Sequence, residues 1–470
     1  MLAEKEQLAI SCWKAGEREQ SGQFYREIIN DAVNNTELRK EIENDYIRFE
    51  HNISFYPELN QDQGPPKSSP LENTQPLSRT CISESTRPLE RTRTLAIIGY
   101  KTTIIKPWGP ASIQTGLPGS EEAVVYCSQI LAKEGWKVDI WANPPKNSIH
   151  KLKLINPRYY DVDDLKSLDE GRKLAVDLKS LGDLKEEDNR YDVVIMWRRF
   201  DFNTGAKYGK KVFLWIHDSP TWSVNNIENL DGVFFLTEHH RKQFLAYGGS
   251  IGMVPYVISG NGILLDQFPE SMSLNANKPN RLACGYYSNY ARGLKVLLEM
   301  WPRIHTAYPG ATLDVYHGRE TWGLLSEEQM NEMDKIFKQL KNQGVTECGR
   351  VGHEDLTAAM GHHSIWTYPN NTEAETFCIT ATRAQMAGLI PVTSRVGALA
   401  ETVEPSAAGT NRMSGPTDVR DYEIALLQTM KKVVSMSEEN LQKERDKYRK
   451  FASTYTWERC VKKWQELKWE

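Results

Sequence analysis

The chain predicts an α/β protein built from two doubly wound domains in series, and three observations carry that prediction. From Thr94 onward, short Val/Ile-rich runs alternate with helical patterns. After Asn280 the same alternation starts again. Each stretch is about 170 to 190 residues long, the usual size of one domain, and the 470 residues as a whole are too many for a single core. Val/Ile-rich strands separated by helices indicate parallel sheets covered on both faces.

In the first repeat the runs are TLAIIGY, KVDIWA, YDVVIMW, KVFLWIH, GVFFLT and MVPYVIS. Between the first two, Glu121 to Lys133 carries Val124, Val125, Gln129, Ile130 and Leu131 on the helical period. In the second repeat RLACGY is followed by a helix from Arg292, with Leu294, Leu297, Leu298, Trp301 and Ile304 on one face. ATLDVYH, a helix near Glu327 to Leu340, VTECG, SIWTYP and LIPVTS complete it. The expected organisation is a helical segment over 1–56, a Pro/Ser/Thr-rich disordered linker over 57–92, Rossmann-like domains over 93–265 and 266–437, and a C-terminal helix over 438–470 that packs back on the first domain. The helices of 1–56 loosely resemble one degenerate tetratricopeptide-type repeat and are a candidate protein-binding module. Two facing Rossmann-like domains place both sets of strand C-termini on one cleft, where ligands bind.

Composition excludes several classes. A net charge of −4 with mixed signs leaves no footprint for nucleic acid. A mean hydropathy of −0.56 and the lack of a long apolar segment argue against a transmembrane helix. MLAEKEQLAI shows no secretory signal, and seven scattered cysteines without a CxxC suit a reduced, cytoplasmic setting. The pairs His239-His240 and His362-His363 have no partners at zinc spacing, so no metal site is predicted. Asp161-Val162-Asp163 has the form of a cation-binding Asp-x-Asp, but no strand is predicted to lead into it, and acids at a helix start are ordinary.

The most informative stretch is Ser364 to Val403. It reads as a strand, a Pro-Asn-Asn turn, a helix opened by Glu375-Thr376 and stopped at Gly388, and a second strand. Polar residues crowd the strand end and the helix N-terminus, the place where unpaired N–H groups favour a phosphate.

Taken together, these segments resemble the GT-B glycosyltransferases, specifically the retaining glycosyltransferase family 4, from about Thr94 to Trp469. That family has a Glu-x-Phe-Gly helix start with a second Glu eight residues after the first. Here Glu375, Phe377, Ala384 and Gly388 match, Cys378 replaces the Gly, and Arg383 replaces the second Glu. SNYARGLKVLLEMWPRIHTAYPGATLDVYHG is similar to the family's Lys/Arg-Gly helix and following strand. GRVGHEDLTAAM resembles its base-binding loop, ISGNGILLDQF its interdomain Asn-Gly loop, TGLPGSEEAVVYCSQILAKEGWKVDIW its Gly-rich loop, and FLWIHDSP the segment with its active-site His.

The resemblance implies a hexosyltransferase that uses a nucleotide-diphosphate sugar as donor, needs no further cofactor and no metal, and glycosylates a glycan, lipid or protein hydroxyl. The rivals are a nucleotide-sugar epimerase or phosphorylase on the same fold, and a non-catalytic sugar-nucleotide binding protein. The implied catalytic residues are His217, Arg292 and Glu375. The implied donor contacts add Gly119, Ser288, Lys295, Arg350, Val351, Phe377, Cys378, Ile379 and Arg383. Arg292 suits a leaving diphosphate because a guanidinium offers a rigid fork of donors. A carboxylate at Glu375 accepts sugar hydroxyl protons, which Arg383 cannot do. On one ideal helix the two are about 12 Å apart along the axis, so they are expected to reach different parts of one ligand. Asn261 and Gly262 are read as turn residues, Trp457 as packing, and Arg198 and Arg199 either as contacts to an anionic acceptor or as solvated surface.

Overall fold

Strands β1 (Thr94–Ile98), β2 (Lys137–Ala142), β3 (Arg158–Asp161), β4 (Tyr191–Trp197), β5 (Gly209–Trp215), β6 (Gly232–Phe235) and β7 (Tyr256–Ile258) form one parallel sheet in the order 3-2-1-4-5-6-7. A computed structural model describes residues 92–101, 106–166, 191–198, 206–218, 229–246, 251–317 and 325–469. The predicted N-terminal helices, the linker up to residue 91 and Arg199 lie outside them. A second parallel sheet takes β8 (Ala283–Tyr286), β9 (Thr312–Tyr316), β10 (Val345–Gly349), β11 (Ile365–Tyr368), β12 (Ile390–Thr393) and β13 (Ala408–Gly409) in the order 10-9-8-11-12-13. Central strands such as Ala283–Tyr286 and Ile365–Tyr368 are buried along their whole length, as strands covered on both faces must be. In each sheet the order reverses between the first and fourth strands, β1/β4 and β8/β11, which is where a doubly wound sheet opens a crevice for ligands.

Among the described residues, the helices of eight or more residues are α1 (Gly119–Lys133), α2 (Glu238–Ala246), α3 (Leu294–Ala307), α4 (Glu327–Leu340), α5 (His353–His362), α6 (Ile379–Met386), α7 (Pro416–Ser435), α8 (Glu438–Ala452) and α9 (Trp457–Trp464). In α3 the predicted face, Leu294, Leu297, Leu298, Trp301 and Ile304, is buried. Helix α4 starts on a capping box between Ser326 and Gln329, which satisfies two N-terminal N–H groups. None of the described helices is long and apolar enough to cross a membrane.

Several expectations need correction. The single predicted C-terminal helix is two, α8 and α9, with Thr456 capping the second through Arg459 N. Helix α8 lies on the second domain, where buried Arg445 donates to the carbonyl of Gly388 at 2.7 Å. Helix α9 lies on the first, burying Trp457, Cys460, Val461 and Trp464 at spacings of three, four and seven. There Trp457 stacks on Tyr126 and Trp464 on Phe234, so Trp457 is a packing residue. A strand, β3, does lead into Asp161. The acids there are nevertheless spoken for, because Lys101 Nζ sits 2.7 Å from Asp161 and 2.5 Å from Asp163. Helix α6 begins at Ile379, so Glu375 lies in the turn before it, and Glu375 and Arg383 do not share a helix.

Candidate functional site

The two switch points face each other across a cleft of about 460 Å³ lined by both domains. On the second domain, the turn after β8 aims Arg292 inward. The Tyr286 hydroxyl lies 2.7 Å from the Asn289 carbonyl and 3.0 Å from that of Arg292, and Asn289 Oδ1 accepts from Ala291 N. Gly293 then turns left-handed at φ 83°, where a Cβ would fall 1.9 Å from the Pro369 carbonyl oxygen. Arg292 Nη1 lies 3.2 Å from Glu375 Oε2, the same oxygen that accepts from the Tyr368 hydroxyl at 2.9 Å. Ser288 Oγ in turn donates to the Tyr368 oxygen at 3.1 Å. Glu375 beside it holds the Arg292 guanidinium firmly charged, against the opposing effect of burial.

Phe377, Cys378 and Ile379 bring the N-terminus of α6 to the cleft wall. Cys378 caps that helix at φ 68°, a conformation costly for a residue with a Cβ. Burial pushes its thiol well up, which suits an inert packing group rather than a nucleophile. From the first domain come Gly119, at the start of α1, and His217, just beyond β5. Burial, with help from Arg198 and His240, drives the His217 pKa well down, so its imidazole is neutral.

The wall therefore collects Gly119, His217, Ser288, Arg292, Arg350, Val351, Glu375, Phe377, Cys378, Ile379 and Arg383. Lys295 is the exception. It lies outside the lining and reaches back to Glu332, 2.7 Å away. The turn residues divide: Asn261 lines the cleft, whereas Gly262 brings its backbone against Trp457 N. The Arg198 side chain is largely buried, with its fork on both oxygens of Asp218 at 2.7 and 2.9 Å and a third contact to Glu121 at 3.0 Å. Two carboxylates already neutralise it, which removes the basis for a contact to an anionic acceptor. Among the described residues no group of three His, Cys, Asp or Glu is placed to hold a metal.

Among the described residues, five buried polar atoms in the cleft wall lack a hydrogen-bond partner: His217 Nε2, Asn261 Oδ1, Tyr287 OH, His317 Nε2 and Arg383 Nε. Leaving a buried polar atom unpaired costs about 1–3 kcal/mol each, so a cluster of five marks a surface shaped for a polar ligand. Tyr287, His317 and Tyr368 escaped the sequence reading although each ends or follows a predicted strand, the same signal that singled out His217. Glu122 and His353, also in the wall, carried no such signal.

Residues 278–432 match the family described as "Glycosyl transferases group 1". No curated protein matches the chain in sequence. Among solved structures, the chain is similar to a sucrose-phosphate synthase from Thermosynechococcus elongatus, at 16% identity over 80% of this chain and 98% of that one, with a TM-score of 0.55. A glycosyltransferase from Rickettsia africae matches at 13% identity over 80% and 97%, TM-score 0.57. An α,α-trehalose 6-phosphate synthase from Burkholderia multivorans matches at 12% identity over 80% and 98%, TM-score 0.50. At these identities the likeness defines the fold: two Rossmann-like domains in the GT-B arrangement.

Proposed function

We propose that the protein is a glycosyltransferase that moves a hexose from a nucleotide-diphosphate sugar to an acceptor hydroxyl, with retention of anomeric configuration and without a metal. The observation that carries the reading is the meeting of Arg292, Glu375 and the α6 N-terminus with the neutral, unpartnered His217 Nε2 across one cleft. The family match over 278–432 supports it.

The chemistry follows from where charge develops. The bond from the anomeric carbon to the diphosphate oxygen breaks, and that oxygen gains negative charge beside Arg292 and the N–H groups of Phe377 to Ile379. The acceptor oxygen bonds to the anomeric carbon on the same face. Its proton passes to the leaving phosphate oxygen, so no protein nucleophile is required. Glu375, held by Tyr368 and Arg292, accepts hydrogen bonds from the donor sugar's hydroxyls. His217, being neutral, adds a hydrogen bond to the sugar without placing a second cation near the developing oxocarbenium charge.

Incubation with a panel of nucleotide sugars tests this by following nucleoside diphosphate release and sugar transfer by mass spectrometry. Slow release that disappears in Glu375→Ala and Arg292→Ala is the expected result. Conversion of the donor to an epimer, or saturable binding with no turnover in the presence of acceptor extracts, would overturn it.

A further inference from the structure

Arg383 stands where the resembling family has an acid, and its surroundings explain what it does. Its Nη2 lies 2.5 Å from Glu122 Oε1 and 3.2 Å from His353 Nδ1. Glu122 belongs to α1 of the first domain and Arg383 to α6 of the second, and both are almost wholly buried. A guanidinium only donates, so His353 Nδ1 must be the acceptor, and the ring proton is on Nε2. That proton points to the Leu117 carbonyl, 3.1 Å away. Burial, with Arg383 beside it, lowers the His353 pKa to about 3, which agrees with a neutral ring. Three residues before His353, Arg350 Nη2 donates to the Gly116 carbonyl at 2.7 Å. Between them, Gly352 lies so close to the first domain that a Cβ would come 2.1 Å from the Gln114 carbonyl oxygen.

We infer that Arg383 is a positioning residue: through Glu122 and His353 it clamps the Gly116–Glu122 segment of the first domain against the second, fixing the Gly119 turn at the cleft wall. The inference rests on the reading of the cleft as a nucleotide-sugar site only for its effect on ligand, not for the clamp itself. All the contacts named are protein to protein; Arg383–His353 lies within the second domain and ties the two groups together, and the others cross between the domains. A buried pair of this kind gives conformational specificity more than stability, because desolvation offsets most of the attraction. Burial outweighs Arg383 in raising the Glu122 pKa, to about 7, as that balance requires. Arg383 Nε remains without a partner at the wall, so the guanidinium that sets the clamp also faces any ligand beside it.

The test is a double-mutant cycle on Arg383→Met and Glu122→Gln, with His353→Gln and His353→Phe as a second pair. Amide exchange of the 110–122 segment reports the clamp. Calorimetric affinity for UDP, GDP and ADP reports the cleft. The clamp predicts that both single variants lose protection in 110–122 and weaken the best nucleotide by about tenfold, non-additively, as residues in one network do. His353→Gln keeps an acceptor and a donor and stays close to wild type, whereas His353→Phe behaves like Arg383→Met. The Arg383→Met/Glu122→Gln pair leaves no buried charge unpaired, which guards against a fold that fails through Arg383→Met alone. Unchanged protection in both singles overturns the clamp, as does loss of nucleotide confined to Arg383→Met, which marks a ligand contact only. If no nucleotide binds wild type, the proposed activity fails while the exchange data still decide the clamp.

Discussion

At the scale of single residues, the relay from Ser288 through Tyr368 to Glu375 sets the acid that faces the cleft. Tyr368→Phe removes one oxygen and leaves the ring, which stacks on Trp366. A hydrogen bond to a charged carboxylate is worth about 1.5–3 kcal/mol, and a neutral one about 1. Tyr368→Phe is therefore expected to lower kcat/KM for the donor by about 10- to 100-fold, and Ser288→Ala by about fivefold. Steady-state kinetics with donor varied checks the order; Ser288→Ala costing more than Tyr368→Phe would contradict the relay. Arg383 shows what single residues hide. Its identity was plain in the sequence, but its partner Glu122 lies 261 positions away on another domain, and nothing local announces such a pair.

At the scale of elements, both approaches to the site depend on left-handed backbone. Cys378 adopts φ 68° at the start of α6, and Gly there relieves about 1–2 kcal/mol of strain. Cys378→Gly is expected to raise the thermal midpoint by a few degrees, and Cys378→Val to lower it; differential scanning calorimetry of both variants reads the sign. At Gly293 the outcome reverses, since a Cβ there meets the Pro369 carbonyl. Gly293→Ala is expected to lower the midpoint and to weaken nucleotide binding by displacing Arg292. Most strands and helices were legible because their periods are strong. Strand β3 was missed because RYYD has no Val or Ile, and β13 because it is two residues long. Helix α7 was missed because its 20 residues bury only five side chains. Glu375-Thr376 looked like a helix start, yet the backbone needed the cap three residues later, at Cys378.

At the scale of the whole molecule, burial of histidine makes stability depend on pH. His240 and His317 are lowered to about 4 and His353 to about 3, each chiefly by burial, and His217 is lowered well below the usual value. An unfolded chain binds protons at these sites below about pH 6.5 while the folded one does not, so stability is fully present above that pH and falls through pH 6.5 to 4. The shifts of His240 and His317 are each worth on the order of 3 kcal/mol. Glu122, raised to about 7, and Glu121, also raised, both chiefly by burial, act in the opposite sense but are two groups against four. The thermal midpoint should therefore drop steeply between pH 6.5 and 4, and a midpoint that is flat or rises toward acid would contradict these assignments. The two-domain architecture was readable at this scale because each sheet repeats one local grammar. The cross-domain contacts were not, since they depend on how the domains face each other. The central claim, that the cleft between the sheets takes a nucleotide-diphosphate sugar on Arg292 and Glu375, is tested most directly by calorimetric titration of nucleoside diphosphates into wild type and Arg292→Ala. Saturable one-to-one binding of at least one nucleotide, weakened about tenfold or more in Arg292→Ala, is the predicted result. Binding of none, or equal binding by both proteins, would contradict it.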